Sequence, residues 1–204
     1  MNNKKSLAAL VLAFVLIIAG AYILYDRLGQ NMDAQQMLVH SPAQTEDEPA
    51  AAEESAPEHD HEDDAALLAP DFTAFDKEGN EVRLSEYVGK PVVLNFWASW
   101  CGPCQSEMPD FQEKYEQLGE DVQFVMVNLT DGGRETQQSA SAFIEKNGYT
   151  FPILYDHIGS AASTYGVYSI PSTYFIDADG HLIAQASGAL SADALQQGID
   201  MITG

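Results

Sequence analysis

The sequence predicts an α/β domain in which helices flank a central mixed β-sheet. Two near-continuous apolar runs, residues 91–98 and 122–129, are typical of strands that are buried on both faces. Between them, apolar residues recur every three or four positions, which is the spacing of one helix face. A strand, a helix and a second strand in this order predict a βαβ unit, the framework of an α/β sheet.

Turn and capping signals predict the remaining elements. Residues 71–75 and 81–84 are separated by a polar turn at 76–80, which indicates an N-terminal hairpin. Asp179-Gly180 predicts a second hairpin turn late in the chain. The helix after the cysteines has apolar positions at Met108, Phe111, Tyr115 and Leu118, and Pro109 should kink it. A last helix is predicted near 191–202, with Ser191 as its N-cap. The other predicted elements are a helix at 135–147, a strand at 151–155, a brief helix at 159–165, and hairpin strands at 172–177 and 181–186.

The N-terminal segment, residues 1–25, is predicted to be a transmembrane anchor. Lys4 and Lys5 precede an uncharged run over residues 6–25, which matches the ~20 residues that a helix needs to cross a bilayer. The positive-inside rule keeps the lysines in the cytoplasm and places the rest of the chain outside. A cleaved signal peptide is the alternative, with residues 19–21 as a small-residue cleavage site. The apolar run continues beyond that site, which favours an uncleaved anchor in a single-pass protein of the cell membrane.

Residues 26–68 are predicted to be a disordered acidic tether, because they hold twelve acidic residues and one basic residue. A histidine-containing acidic run at 59–64 lies within it, but a solvated segment offers a metal no fixed geometry, and we expect no metal site. Residues 69–204 form the predicted folded domain, with 19 acidic and 6 basic residues. The net charge of −22 excludes nucleic acid as a partner, since a phosphate backbone requires basic side chains.

The two cysteines of the chain, Cys101 and Cys104, lie in Trp100-Cys101-Gly102-Pro103-Cys104 between a predicted strand and a predicted helix. Their spacing fits a redox couple or half of a metal site. Helix N–H groups favour a thiolate at Cys101, which makes it the predicted nucleophile. Cys104 is then the resolving thiol that breaks the mixed disulfide. The motif predicts a thiol–disulfide oxidoreductase that needs no cofactor.

Over residues 69–204 the chain resembles the thioredoxin-like superfamily. The likeness is carried by the motif at 100–104, by Ile170-Pro171 before a strand, and by residues 188–190 before the last helix. Within that superfamily it is similar to the TlpA/ResA branch of membrane-anchored, extracytoplasmic thiol–disulfide oxidoreductases with a redoxin (AhpC/TSA-like) domain. The features of that branch are the anchor, the N-terminal hairpin, an insert between about 130 and 155, and Glu107-Met108-Pro109 after the second cysteine.

Glu107 is the predicted proton relay for Cys104. It lies three residues further along the helix, and burial would raise its pKa toward the working range. The resemblance supports this role, because the TlpA/ResA branch carries a functional Glu at this position. Thioredoxin instead has a buried Asp on the preceding strand, where this chain has Asn95, which cannot exchange protons. A solvated first-turn acid is the alternative interpretation of Glu107.

The resemblance also implies a substrate-binding surface. Pro171 corresponds to the superfamily's cis-proline, and the Ile170 backbone is expected to pair with an extended substrate segment. Trp100 is expected to line this surface, whereas Trp97 is expected in the core. The thioredoxin-like residues between the cysteines imply a reducing couple. Its substrates would be disulfide-containing exported proteins, such as apocytochrome c, and its electron donor a membrane protein of the CcdA/DsbD type.

Two other functions stay open at this point. A peroxiredoxin-type peroxidase shares the 70–72 opening, but position 98 is Ala where its Thr would precede the cysteine, and Arg134 is the only arginine after the insert begins. A copper-handling module would use the two cysteines with a Met or His. Against it, His157 and His181 occur in predicted loops or turns.

Overall fold

A computed structural model describes residues 37–39 and 67–204, and these confirm the predicted α/β fold. Their sheet has eight strands in the order β1-β8-β7-β4-β5-β6-β2-β3. The strands are β1 Met37–Val39, β2 Thr73–Phe75, β3 Glu81–Arg83, β4 Val92–Trp97, β5 Gln123–Asn128, β6 Ile153–Tyr155, β7 Ser172–Ile176 and β8 Leu182–Ser187. The α-helices are α1 Gly102–Leu118, α2 Gln137–Asn147, α3 Ser160–Thr164 and α4 Ala192–Thr203, and a short 3-10 helix covers Leu84–Tyr87.

The central strand β4 is buried along its whole length and separates two apolar layers. Val93 and Trp97 belong to the layer that also contains buried residues of α1, α2 and α4. Leu94 and Phe96 belong to the opposite layer, beneath α3 and the 3-10 helix. Since side chains alternate along a strand, Asn95 shares the face of Val93 and Trp97 and points toward α1.

Three chain segments that are distant in sequence meet at one edge of the sheet, where β4 and β5 end and β7 begins. β5 runs parallel to β4, so that Asn128 lies beside Trp97 where both strands end. β7 runs antiparallel to β4, and Ser172 at its start pairs with Phe96. The loop after β4, the loop after β5 and the loop before β7 therefore meet at this edge. α1 leaves the first of these loops and continues through Pro109 without interruption.

Two features differ from the sequence expectations. β1 lies inside the range predicted as a tether and pairs antiparallel with β8. At the end of that range Leu68 forms an antiparallel bridge with His181, while residues 26–36 and 40–66 lie outside the described residues. The insert helix α2 begins at Gln137, because Thr136 caps it by accepting a hydrogen bond from the Ser139 N–H at 3.1 Å. Residue 135 therefore precedes the helix that was predicted to include it.

The predicted anchor over residues 1–25 lies outside the described residues. Among the residues that are described, no helix combines the length and apolar character needed to cross a membrane.

Candidate active site

Cys101 and Cys104 form a disulfide at the start of α1, with their Cα atoms 5.2 Å apart. Cys101 is the N-cap residue, and its Sγ accepts a hydrogen bond from the Cys104 N–H at 3.3 Å. Cys101 keeps 5% of its surface exposed, whereas Cys104 is completely buried. A substrate sulfur can therefore approach Cys101 and not Cys104. The helix N–H that faces the Cys101 sulfur favours its thiolate form after reduction.

The Ile170–Pro171 peptide bond is cis and lies against the disulfide. The Ile170 carbonyl oxygen is 3.6 Å from Cys101 Sγ, Pro171 is buried and Ile170 is half-buried. The Pro171 carbonyl accepts a hydrogen bond from the Gly188 N–H at 2.9 Å, and Gly188 adopts a φ of 90° that favours glycine. The loop between β8 and α4 thus supports the loop that faces Cys101.

Glu107 is a buried carboxylate with two hydrogen-bond donors. Only 1% of its surface is exposed. Its Oε1 accepts from Asn95 Nδ2 and its Oε2 from the Leu190 N–H, each at 2.9 Å. Burial raises the pKa of Glu107 from 4.5 to about 7, against the lowering effect of the two hydrogen bonds and with a further rise from the Asp110 charge. Glu107 is therefore not a solvated surface acid, and it can gain or lose a proton near neutral pH one helical turn from Cys104.

Asn95 has an amide whose donors are used and whose acceptor is not. Its Nδ2 donates to Glu107 and also to Thr173 Oγ1 at 3.0 Å. Its Oδ1 is buried and has no hydrogen-bond partner among the described residues. When Glu107 is protonated, its hydroxyl becomes a hydrogen-bond donor and needs an acceptor. The two groups that contact it, Asn95 Nδ2 and the Leu190 N–H, are themselves donors. Rotation of the Asn95 amide would bring Oδ1 to that hydroxyl.

A second buried carboxylate, Glu135, holds the redox loop, which is the segment 98–101 between β4 and α1, and was missed in the sequence analysis. It is completely buried. Its Oε1 accepts from the Ser99 N–H and from Asn128 Nδ2, each at 3.1 Å, and its Oε2 accepts from Ser99 Oγ at 2.8 Å. Ser99 lies two residues before Cys101 but 36 positions before Glu135 in the chain. In the sequence Glu135 is only an acid at the start of a predicted helix, which does not suggest such a contact.

Two exposed aromatic side chains lie close in sequence to the residues that contact the disulfide. Trp100 is 41% exposed, and the Arg134 guanidinium carbon lies 3.5 Å from the centroid of its ring. Tyr168 is fully exposed in the loop that leads to Ile170. Trp, Tyr and Arg are the side chains that most often carry binding energy at protein interfaces. This surface can therefore bind a protein segment across Cys101.

The sequence-predicted residues Cys101, Cys104, Glu107, Trp100, Ile170 and Pro171 all lie at or next to this edge of the sheet, while their individual roles remain predictions. The two open alternatives find less support. Ala98, at the position where a peroxiredoxin would have Thr, is a buried core residue. His157 packs against the rings of Phe75 and Tyr155, and His181 contacts the Asp177 carboxylate at 3.2 Å.

Comparison with known proteins agrees with this geometry. The profile of the AhpC/TSA family matches residues 66–185. The thiol-disulfide oxidoreductase ResA of Geobacillus thermodenitrificans is 37% identical over 135 residues, which cover 66% of this chain and 75% of that protein. The thioredoxin-like protein YneN of Bacillus subtilis is 35% identical over 133 residues, 65% of this chain and 77% of its own.

A solved structure gives the same result. StoA from Bacillus subtilis superimposes with a TM-score of 0.56 at 31% identity and covers 66% of this chain and 98% of its own. The peroxidase and copper-handling alternatives are not favoured by these relatives. The redox motif, the fold and the relatives agree, and the chain belongs to the AhpC/TSA family, among its thioredoxin-like thiol–disulfide oxidoreductases of the ResA type.

Proposed function

We propose that this protein reduces disulfide bonds of exported proteins on the outer side of the cell membrane. The observation that carries the reaction is the disulfide itself, with Cys101 5% exposed beside the Ile170 carbonyl and Cys104 completely buried. This arrangement separates an accessible nucleophile from a protected resolving thiol, as reduction in two steps requires.

In the first step the Cys101 thiolate of the reduced protein attacks one sulfur of the substrate disulfide. A Cys101–substrate disulfide forms, and the other substrate sulfur leaves as a thiolate that takes up a proton. Cys104 then loses its proton and attacks Cys101 Sγ. The Cys101–Cys104 disulfide forms, the second substrate thiol is released, and two electrons have passed from the protein to the substrate.

Glu107 is the group that takes the Cys104 proton in this scheme. A general base acts best when its pKa is near the working pH, and burial brings the pKa of Glu107 to about 7. Asn95 and the Leu190 N–H fix both carboxylate oxygens, which keeps the acceptor in place between turnovers. A Glu107→Gln variant should therefore resolve the mixed disulfide slowly and lose the pH dependence of this step.

The membrane location and the electron donor are further parts of the proposal. The uncharged run at 6–25, preceded by Lys4 and Lys5, supports an N-terminal anchor with the redox domain outside. A reductase in that compartment must be recharged, and a membrane protein of the CcdA/DsbD type would supply the electrons. Labelling of intact cells with a membrane-impermeant thiol reagent tests this topology, since Cys101 should react after mild reduction without lysis.

Two single-cysteine variants test the reaction. We expect Cys101→Ser to lose nearly all insulin disulfide reduction, because no accessible nucleophile remains to attack the substrate. Cys104→Ser should also lose turnover, but it should accumulate a covalent complex with insulin that dithiothreitol releases. Lys90→Gln, at the opposite end of β4, is the control and should retain full activity. Unchanged activity in Cys101→Ser would refute the proposal.

A further inference from the structure

We propose that Arg134, stacked on Trp100, binds a carboxylate of the substrate protein next to the disulfide that is reduced. This inference rests on the proposed function and specifies its substrate. It assigns to the surface around Cys101 a preference for Asp or Glu close to the substrate cysteine.

The first argument is the geometry of the stacked pair. The Arg134 guanidinium lies over the Trp100 ring with Cζ 3.5 Å from the ring centroid. Stacking occupies the face of the guanidinium and leaves its N–H edge free for a planar, bidentate partner. Arg134 is exposed, and its guanidinium has no hydrogen bond or ion pair with any residue of 37–39 or 67–204. Trp100 directly precedes Cys101 in the chain, so that the stacked pair belongs to the loop that carries the redox site.

The second argument is that hydrogen bonds hold the loop both before and after Arg134. The Asp131 Oδ1 accepts hydrogen bonds from the N–H groups of Gly133 and Glu135 at 2.8 and 2.9 Å. The next side chain, Glu135, is buried and accepts two hydrogen bonds from Ser99. The same loop thus contacts the redox loop through a buried carboxylate and through an exposed cation. An arginine that is already ordered loses less conformational entropy when it binds an anion.

The third argument is charge. The predicted domain carries 19 acidic and 6 basic residues, so that its net charge repels anionic proteins in general. The Arg134 cation therefore attracts a substrate carboxylate locally, on a domain that otherwise repels anions. The occupant that fits is a segment of mixed charge whose acidic residue lies within a few positions of its cysteine.

Disulfide-bridged peptides test the inference with the full-length reduced protein and dithiothreitol as electron source. Peptides that are identical except for Asp or Asn at each of two positions on either side of one cysteine are compared by kcat/KM. At the best position we expect the Asp peptide to react about threefold to fivefold faster, the upper part of the range for an exposed ion pair. Arg134→Gln should abolish this preference, and 0.5 M salt should reduce it. Arg134→Lys should retain part of it.

Lys90→Gln is the matched control, since it removes one positive charge at the opposite end of β4 and should leave the Asp preference intact. Equal rates for Asp and Asn peptides at all four positions in the wild type would overturn the inference while leaving the proposed function in place. An Arg134→Gln variant that keeps the preference, or that slows both peptides equally, would overturn it as well. If the wild type reduced none of the peptides, the proposed function would fail first.

Discussion

Replacing Glu107 by Gln should change how the stability of the protein depends on pH. Burial raises the pKa of Glu107 to about 7 in the folded protein, from an ordinary value of 4.5. In the pH range between these values the folded state holds a proton that the unfolded chain has released. Stability from this group is therefore complete below pH 4.5 and is lost as the pH rises through 7.

The size of the effect follows from the two pKa values. At about 1.4 kcal/mol per pH unit, the difference between 4.5 and about 7 corresponds to about 3 kcal/mol of unfolding free energy. The carboxylate is 1% exposed, so that little solvent screening reduces this figure. Gln cannot ionise and lacks this term. The difference in unfolding free energy between Glu107→Gln and wild type should therefore rise by about 3 kcal/mol from pH 4 to pH 8.

Urea unfolding of both oxidised proteins at several pH values measures this difference. All other titrating groups are common to the two proteins and cancel in the subtraction. Glu113→Gln, an exposed position on the same helix, is the control and should differ from wild type by less than about 0.5 kcal/mol at every pH. A Glu107→Gln difference that stays flat or falls with pH would refute the reasoning about burial.

Two further substitutions test the supports of the site. Glu135→Gln should lower the unfolding free energy by about 1–3 kcal/mol, because an amide cannot accept all the hydrogen bonds that this buried carboxylate receives from Ser99 and Asn128; an unchanged urea midpoint would contradict this. Gly198→Ala in α4 should destabilise by about 1–3 kcal/mol even though Ala favours helices by about 1 kcal/mol, because the new Cβ would overlap the Phe175 ring. A higher melting temperature in the Ala variant would show that the ring can move aside.

The central part of the fold was predictable because its signals are local. The buried run of β4, the hairpin turn at Asp179-Gly180 and the helix spacing after Cys104 each lie within a few residues. Strand β1 was not predicted, because its three residues pair with β8 across a long sequence separation and lie in an acidic segment. Pairing of this kind depends on which sheet edge is free, and that is known only once the sheet has formed.

The redox residues were predictable in the same way, since the spacing of Cys101 and Cys104 specifies their chemistry. Glu107 could be chosen from its helical position, but its donors could not. Leu190 contributes only a backbone N–H, which carries no sequence signal, and it is 83 positions away. Glu135 and Arg134 contact the redox loop because β5 ends beside β4. Contacts set by strand order require the topology as well as the sequence.

The hydrogen bonds of Glu107 also explain why a destabilising group is tolerated at this position. An ionised carboxylate is satisfied here by two donors, and a protonated one lacks an acceptor until the Asn95 amide rotates. Burial favours the neutral form and the donors favour the charged form, so that neither wins decisively. Removing the donors would raise the pKa above the useful range, and exposing the carboxylate would lower it toward 4.5. A pKa near 7 requires both effects together, which is why the loss of stability above neutral pH and the capacity to exchange a proton there have one structural cause.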